Sequence, residues 1–262
     1  MQQQLDSVLS SLIRCDGNLD ASTRYALLNG GKRVRPQLLI ATCRAFNGNI
    51  ELTTYPACAI EMIHAYSLVH DDLPAMDNDD FRRGQPTVHK KFNEATAILT
   101  GDYLLNRAFE VLAMAPQLKS EKKIHLISLL GAASGGVGMI GGQVLDLARD
   151  KRVLRIDELK IIHMKKTGAL FGLAAEMGAI LANAEPLECI QMRKFGNLLG
   201  LLFQITDDIL DSKETGKTTY VSLLGKEGAR MEAERVYNEV VTLVSQWPEL
   251  KQIAEKVLVR SS

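Results

Sequence analysis

The stretch MRKFGNLLGLLFQITDDILD, residues 192–211, decides the fold class. Residues suited to a protein core recur in it at steps of three and four, which is the spacing of one face of an α-helix. Between Leu198 and Ile205 the stretch is apolar nearly all round, as is typical of a helix in the middle of a bundle. We therefore predict a long central helix, whose core face comprises Met192, Phe195, Leu199, Leu202, Thr206 and Ile209.

The rest of the chain repeats the helical pattern. Core residues keep helical spacing at Ile98, Leu105, Phe109 and Leu112, and alternating β-branched runs are nearly absent. Glycines and prolines separate the helical segments, while no linker, repeat or shift in composition divides the chain. We expect an all-α fold with one domain over residues 1–262, built from about nine or ten helices.

The overall charge excludes some functional classes. The 262 residues include 31 Lys and Arg and 31 Asp and Glu, so the net charge is zero. Without a global basic field, the chain does not fit a general nucleic-acid binder or a protein held on anionic membranes. Hydrophobic residues make up 46%, which is too apolar for a disordered chain.

One charge-free stretch raises the question of a membrane span. Ile124–Leu145 reaches the roughly 20 residues that a spanning helix needs. Its polar residues and two glycine pairs favour a buried helix of a soluble protein, so we expect no membrane span. The first residues resemble no secretory signal, and we expect a cytoplasmic protein. The scattered cysteines lack metal-binding spacing and are predicted to be reduced packing residues: Cys15, Cys43, Cys58 and Cys189.

A first acidic cluster follows an apolar helical segment, Ile60–Val69. Residues 71–84 read DDLPAMDNDDFRRG, with five carboxylates within ten residues. Such crowding is costly without a cation, and carboxylate oxygens suit Mg²⁺, which shares its coordination shell with substrate phosphates. From this segment alone, a solvated acidic loop is an equal alternative.

The geometry of this cluster requires a bulge. In a continuous helix, Asp71 and Asp77 would lie about 120° apart around the axis and about 9 Å apart along it. Pro74 disfavours helix at Leu73 and lets the chain bulge. We therefore expect Asp77 to return beside Asp71.

A second acidic cluster, DDILD at residues 207–211, ends the predicted central helix. Gln204, Asp207 and Asp211 share one stripe, about 140° from the core face. Two carboxylates one turn apart on so apolar a helix are expensive to bury unpaired. Arginines elsewhere are one way to satisfy them. Together the two clusters favour facing walls of one cavity with metal between them.

An ordered set of motifs resembles the short-chain trans-prenyl diphosphate synthases, particularly the bacterial farnesyl diphosphate (geranyltranstransferase) type. The set runs GGKRVRP, HAYSLVHDD, DDLPAMD with RRG, GGQVLDL, KKTGAL, FQ and DDILD, within about Tyr25 to Leu224. The resemblance implies the isoprenoid synthase fold, a single large helical bundle around a central cavity. It also implies a homodimer.

The resemblance further implies a reaction and a cofactor. An allylic diphosphate, dimethylallyl or geranyl, would ionise and condense with isopentenyl diphosphate. Proton elimination would then give farnesyl diphosphate and pyrophosphate. Ionisation requires neutralisation of the departing charge, for which the family uses Mg²⁺, here three ions. The implied metal ligands are Asp71, Asp72, Asp77, Asp207 and Asp211.

The resemblance assigns the remaining site residues as well. The implied catalytic set is Asp71, Asp77, Lys166, Thr167, Gln204 and Asp207. Lys166 is better suited to binding diphosphate than to stabilising a carbocation, because its positive charge would raise the energy of the cation. The implied contacts to the allylic diphosphate are Arg82 and Lys217. The implied isopentenyl diphosphate ligands are Lys32, Arg35, His64 and Arg83.

Helix geometry adds to this assignment. His64, Ser67 and Asp71 share one stripe, which favours a cavity-facing His64 over an ordinary structural histidine. Tyr66 and Ser67 stand about 6 to 7.5 Å below Asp71 along the axis. A bulky Tyr66 would close a product tunnel early, which favours a farnesyl over a geranylgeranyl product; ordinary packing of Tyr66 is the alternative. Gln143 and Asp146 are given a supporting role in water or lysine contacts.

One stretch departs from the family pattern. Only five residues separate Asp211 from Lys217, where the family has a longer loop. Either the loop is short or residues of a lid are missing, and the implied role of Lys217, directly after this stretch, applies in both cases.

Other functions fit less well. The residues from Asp211 to Thr218 lack the first glycine and the preceding strand of a Walker A loop, which excludes an ATPase. The alternatives within this fold are a geranylgeranyl diphosphate synthase, a terpene cyclase and an inactive regulatory subunit. Lys32, Arg35 and His64 argue against the cyclase, and the intact acidic motifs argue against the inactive subunit. A magnesium-dependent nucleotide pyrophosphohydrolase would need glutamate-rich helices and a nucleotide pocket, which are not evident.

Overall fold

The computed structural model describes residues 2–148, 154–210 and 218–260. These residues are almost entirely helical, apart from one short antiparallel hairpin. The predicted all-α fold is therefore confirmed. The chain divides into two compact units, one of Met1–Gln37 with Glu51–Ser128 and one of Leu38–Ile50 with Leu129–Ser262. The single domain over residues 1–262 and the central cavity stay predictions.

The first unit is built around a helix of small and aliphatic residues, α4, in which Pro56–Ile63 is buried on every side. The hairpin pairs Phe81 with Pro86 and Arg82 with Gln85. The side chain of Asn93 caps α6 by accepting a hydrogen bond from the Thr96 amide at 2.8 Å. The elements are α1 (Gln2–Leu12), α2 (Gly17–Leu28), α3 (Val34–Ala45), a 3₁₀ turn (Ile50–Thr53), α4 (Thr54–Asp71), β1 (Phe81–Arg82), β2 (Gln85–Pro86), α5 (Val88–Lys91), α6 (Glu94–Ala113) and α7 (Ser120–Ser134), of which α3 and α7 continue into the second unit.

In the second unit, α10 (Ala169–Leu181) and α11 (Pro186–Leu210) pack against each other through glycines. A Cβ atom on Gly196 of α11 would lie 2.4 Å from the Phe171 carbonyl oxygen of α10, and one on Gly200 would lie 2.7 Å from Gly168 Cα. The backbones therefore approach closely, and larger residues would force them apart. The elements are α8 (Met139–Ala148), α9 (Ile156–His163), a π-helical turn (Met164–Gly168), α10 (Ala169–Leu181), α11 (Pro186–Leu210), α12 (Tyr220–Leu243) and α13 (Pro248–Leu258).

The predicted central helix is confirmed as α11. Its predicted core face is buried from Met192 to Thr206, and only Ile209, near the end, is partly exposed. In α10 every residue from Leu170 to Leu181 is buried. A helix without a polar face is stable only when other helices surround it.

The predicted burial of Ile124–Leu145 is wrong. The segment forms two helices, α7 and α8, with a break at residues 135–138. Ser120–Ala148 is long and apolar enough to cross a membrane by length and composition, yet only 28% of its apolar window is buried. Ile124, Val137 and Val144 are 68%, 75% and 61% exposed. The charge-free sequence reflects an apolar outer face rather than a core helix.

The cysteine prediction is confirmed in part. No disulfide joins the four cysteines, all of which lie among the described residues, and three of them are buried. Cys15 is only partly buried.

Candidate active site

The first acidic cluster forms the bulge that the sequence predicts. Helix α4 ends at Asp71, and the Asp77 amide donates a hydrogen bond of 2.9 Å to the Asp71 carbonyl oxygen. The Asn78 amide bonds to the Leu73 carbonyl oxygen at 3.1 Å, with Asn78 in the left-handed region at φ 53°. The turn that contains Pro74 thus brings Asp77 back beside Asp71. Two carboxylates separated by six positions come to one helix end.

Asp72 has a different partner from the metal that the resemblance implies. Asp72 is 3% exposed, and Arg82 Nε donates to Asp72 Oδ1 at 2.8 Å. Arg82 Nη2 also bonds to Asp79 Oδ2 at 3.1 Å. Burial raises the pKa of Asp72, and the hydrogen bond from Arg82 opposes that rise. Asp72 and Arg82 therefore form an ion pair that braces the acidic turn against the hairpin.

Basic groups from three segments gather in the same unit. Arg83, at the tip of the hairpin, donates from Nη1 to the Gly30 carbonyl oxygen at 2.7 Å. Gly31, at φ 113°, permits this contact, because a Cβ there would lie 2.8 Å from Arg83 Nη1. Burial lowers the pKa of Arg35 to about 10, with repulsion from Arg83 adding to the effect. Crowded cations of this kind favour an anionic ligand such as a diphosphate.

His64 belongs to this basic cluster. Burial and the nearby positive charges of Arg35, Arg83, Arg82 and Arg33 lower its pKa well below 6.5. The imidazole is therefore neutral at neutral pH and can donate one hydrogen bond to a bound anion. Lys32, also predicted to bind diphosphate, is exposed to solvent in the loop before α3.

Tyr66 is buried on α4, with 4% of its surface exposed. Its ring makes an edge contact with His70, at 5.8 Å between centroids, and its hydroxyl is buried without a hydrogen-bond partner among the described residues. His70 Nε2 lies 3.0 Å from the Ile98 carbonyl oxygen, in space that a Cβ on Gly101 would occupy. Ser67 bonds back to the His64 carbonyl oxygen. The role of Tyr66 and Ser67 in product length stays a prediction.

The second unit brings together the predicted residues of α8, the π-helical turn and α11. Lys166 Nζ donates to Asp146 Oδ2 at 2.8 Å, which confirms the predicted contact of Asp146 with a lysine. Thr167 Oγ1 donates to Gln204 Oε1 at 3.2 Å. A Cβ on Gly142 would lie 2.3 Å from the Lys166 amide nitrogen, so α8 reaches the backbone of the turn itself. Local π-helical turns of this kind are frequent at functional sites.

The second acidic cluster is held by two contacts: an arginine, which the sequence analysis allowed without identifying it, and a backbone amide that it did not foresee. Asp207 is exposed and pairs with Arg260, from beyond the end of α13. Asp208 Oδ2 accepts a hydrogen bond of 2.9 Å from the Tyr220 amide, and Asp208 Oδ1 lies 3.5 Å from Gln204 Nε2. Asp208 thus ties the first residue of α12 to α11. No sequence signal links these partners, which are separated by 53 and 12 residues.

The donor chemistry of the acidic residues fits Mg²⁺. In the part of the chain that the structure describes, no three His, Cys, Asp or Glu side chains form a ready metal-binding set. Mg²⁺ does not require one, because it commonly takes one or two carboxylates and completes its shell with water and substrate phosphate. Asp71 and Asp77 supply such a pair beside the basic cluster. The predicted ligands Asp211 and Lys217 lie outside the described residues.

The chain resembles characterised enzymes over most of its length. It is 42% identical to the farnesyl diphosphate synthase of Haemophilus influenzae, covering 91% of this chain and 88% of the relative. It is 43% identical to the farnesyl diphosphate synthase of Escherichia coli, covering 91% and 84%. Identity to a chloroplastic geranylgeranyl pyrophosphate synthase of Catharanthus roseus is also 43%, but the match covers 68% of that protein.

Solved structures agree with these relatives. An FPP/GFPP synthase from Zymomonas mobilis matches with a TM-score of 0.91 and 39% identity, covering 97% of this chain and 95% of the other. A geranyltransferase from Helicobacter pylori, solved with magnesium and isoprenyl diphosphate, matches with a TM-score of 0.87 and 33% identity, covering 98% and 93%. The polyprenyl synthetase family model matches residues 16–228. The chain therefore belongs to the polyprenyl synthetase family.

Proposed function

We propose that this protein is a prenyltransferase that condenses dimethylallyl or geranyl diphosphate with isopentenyl diphosphate to give farnesyl diphosphate and pyrophosphate. The observation that carries the proposal is the bulge that sets Asp77 beside Asp71, next to a cluster of basic side chains. This arrangement offers one site for a metal-bound diphosphate and another for a diphosphate held by cations. Relatives named farnesyl diphosphate synthase, at 42% and 43% identity, support the same function.

The proposed Mg²⁺ ligands, which the family resemblance implies, are Asp71, Asp77 and Asp207. When bound, the metal supplies Lewis-acid neutralisation of the departing pyrophosphate, which is the chemistry that ionisation of an allylic diphosphate needs. The resemblance implies three ions, with Asp211 as a further ligand. Asp72 has a smaller part in this proposal than the sequence implies, because its carboxylate is engaged by Arg82.

The basic cluster is the proposed binding site for isopentenyl diphosphate. Lys32, Arg35 and Arg83 donate hydrogen bonds to the diphosphate oxygens, and the neutral His64 adds one N–H donor. The allylic diphosphate is the proposed partner of Arg82 and Lys217. The two substrates thus use different sets of charges.

Residues of the second unit orient the reacting carbons. The Thr167 hydroxyl and the Gln204 amide, already joined at 3.2 Å, present oxygen dipoles to a developing carbocation. The ion pair with Asp146 holds Lys166 where its charge is available to a diphosphate and not to the cation. The departing pyrophosphate is the proposed acceptor of the final proton, so no protein base is assigned.

The test is an elongation assay with labelled isopentenyl diphosphate and either dimethylallyl or geranyl diphosphate, with and without Mg²⁺, followed by chain-length analysis. We expect Mg²⁺-dependent formation of a fifteen-carbon product. No Mg²⁺-dependent elongation would refute the proposal. A twenty-carbon main product would favour the geranylgeranyl alternative, which the Catharanthus roseus relative represents.

We further propose that the protein is a homodimer. Val137, Ile140 and Val144 form an apolar stripe at steps of three and four on and before α8, and they are 75%, 43% and 61% exposed. A second copy of the chain would bury such a stripe at little polar cost. The cytoplasmic location stays a prediction.

A further inference from the structure

Arg33 stands apart from the other cations of the basic loop, which we define as residues 30–36, comprising the loop before α3 and the first residues of α3. The residue is 3% exposed, and its backbone lies in the left-handed region at φ 49°. A non-glycine residue adopts this conformation at a cost, and the cost persists only where surrounding contacts enforce it. The fold thus directs Arg33 into the protein, while its neighbour Lys32 points to solvent.

The contacts of Arg33 account for that orientation. Arg33 Nη1 donates to Glu61 Oε1 at 2.6 Å, in a pair whose side chains are 2% and 3% exposed. Nη2 donates to the Leu27 carbonyl oxygen at 2.7 Å, and Nε donates to Asp6 Oδ1 at 3.0 Å. The guanidinium is therefore fixed by two carboxylates and one carbonyl group. Planar, forked donors of this kind impose a definite geometry on what they join.

Glu61 lies on α4 one turn before His64. The Arg33–Glu61 pair thus joins the basic loop, which carries Lys32 and Arg35 on either side of Arg33, to the helix that carries His64. The Gln37 side chain adds a second restraint by donating to the Lys32 carbonyl oxygen at 2.7 Å. The Arg33–Glu61 ion pair therefore links the two segments that carry the proposed diphosphate ligands Lys32, Arg35 and His64.

We propose that Glu61 and Arg33 are positioning residues for the diphosphate of isopentenyl diphosphate. Their ion pair holds the basic loop in register with α4, so that Lys32, Arg35 and His64 converge on one anion. Neither residue touches the substrate in this proposal. The inference rests on the proposed function, because it assigns the basic cluster to that substrate.

A second effect of Glu61 acts in the opposite direction. Its negative charge also acts on Arg35 and Arg83 and partly offsets the positive potential of the cluster. Loss of that charge alone would strengthen anion binding. Loss of the ion pair leaves Arg33 buried without the Glu61 carboxylate, with only the partly exposed Asp6 remaining, which is strongly unfavourable and displaces the loop. Displacement of even about 1 Å is costly at such sites, so we expect the positioning effect to dominate.

The test compares Glu61→Gln with Arg33→Met in steady-state kinetics, varying each substrate in turn. In a positioning role both variants raise the KM for isopentenyl diphosphate, by about tenfold or more, while the KM for geranyl diphosphate stays within about twofold. In a purely electrostatic role the two variants move the KM for isopentenyl diphosphate in opposite directions. Opposite shifts, or an unchanged KM in both variants, would overturn the proposal.

A matched control comes from the second unit. Glu176, 5% exposed, forms an ion pair with Arg193, whose Nε donates to Glu176 Oε2 at 2.6 Å. Glu176→Gln removes the same charge from a pair whose carboxylate side chain is 7% exposed and whose arginine side chain is 48% exposed. It should lower thermal stability without a selective change in the KM for isopentenyl diphosphate. An equal selective change in this control would show a general consequence of destabilisation and would overturn the proposal.

Two further outcomes distinguish a failure of the inference from a folding defect and from a failure of the proposed function. If Glu61→Gln does not fold, Asp6→Asn is the milder variant, because Asp6 contacts Arg33 from a side chain that is 34% exposed. It should raise the same KM by a smaller factor, and an unchanged KM would count against the inference. A wild-type protein without elongation activity would refute the proposed function, and the inference with it. An active wild-type protein whose variants keep the wild-type KM for isopentenyl diphosphate would refute the inference alone.

Discussion

The guanidinium group of Arg260 forms an ion pair with the carboxylate of Asp207. Its Nη2 donates a hydrogen bond to Asp207 Oδ1 and a second, of 3.1 Å, to the Phe203 carbonyl oxygen. Its guanidinium carbon lies 3.8 Å from the centre of the Phe203 ring. A proposed metal ligand of α11 is thus neutralised by a residue 53 positions further along the chain. With Asp207 as the proposed metal ligand, Arg260 and Mg²⁺ would compete for one carboxylate.

Removal of this arginine should change the metal requirement. We expect Arg260→Ala to lower the Mg²⁺ concentration for half-maximal activity by about threefold or more, because the metal no longer displaces an ion pair. The measurement is a Mg²⁺ titration of elongation rate at saturating substrates. Arg230→Ala, in an exposed pair with Glu227 on α12, is the matched control and should leave the titration unchanged. A higher Mg²⁺ requirement in Arg260→Ala would contradict the competition.

The acidic bulge should be essential for ionisation. We expect Asp71→Asn to reduce kcat by about a hundredfold or more, because it removes charge that holds metal against the departing pyrophosphate. Asp80→Asn is the control, since Asp80 belongs to the same acidic segment but is 60% exposed and pairs with Lys90. Full activity of Asp71→Asn would exclude Asp71 as a metal ligand.

Product length should respond to the size of residue 66. We expect Tyr66→Ala to shift the main product from fifteen to twenty or more carbons, because the buried ring no longer occupies space beside α4. The same change creates a cavity and should lower the free energy of unfolding by about 3 kcal/mol or more. Chromatography of the dephosphorylated products gives their length. Tyr66 would be ordinary packing if the variant were less stable but made products of unchanged length.

Stability should depend on pH through His64. Its pKa in the folded protein lies well below 6.5, so the unfolded chain takes up a proton on His64 at a higher pH than the folded protein does. The contribution of His64 to stability is therefore constant above about pH 6.5 and falls as the pH drops towards the folded pKa. Denaturant unfolding at about pH 7.5 and about pH 5.5 should show a smaller loss for His64→Gln than for the wild type. The exposed His125 provides the control variant, and an equal loss in His64→Gln would contradict the prediction.

Self-association should depend on the apolar stripe of α8. We expect Val144→Asp to convert the homodimer to a monomer, because a charge buried in an apolar interface is unpaired. Light scattering coupled to size exclusion gives the mass. Leu187→Asp, at a position 79% exposed on α11, is the matched control and should remain dimeric. A dimer that survives the change at Val144 would place the interface elsewhere.

The helical architecture follows from local sequence patterns. The core face from Met192 to Thr206 could be predicted from the sequence, because helix periodicity depends only on residues three and four positions apart. The return of Asp77 to Asp71 could also be predicted from a local effect, since proline disfavours helix at the residue before it.

The sequence by itself determined the helices, the bulge after α4 and the family motifs. Only the tertiary structure decided which charges pair: Asp72 with Arg82, Glu61 with Arg33, and Asp207 with Arg260. It also decided that most of Ile124–Leu145 is not buried, because composition cannot say which neighbour covers an apolar face. Local propensities act within one or two helical turns, whereas ion pairs and burial depend on residues that folding brings together from distant positions.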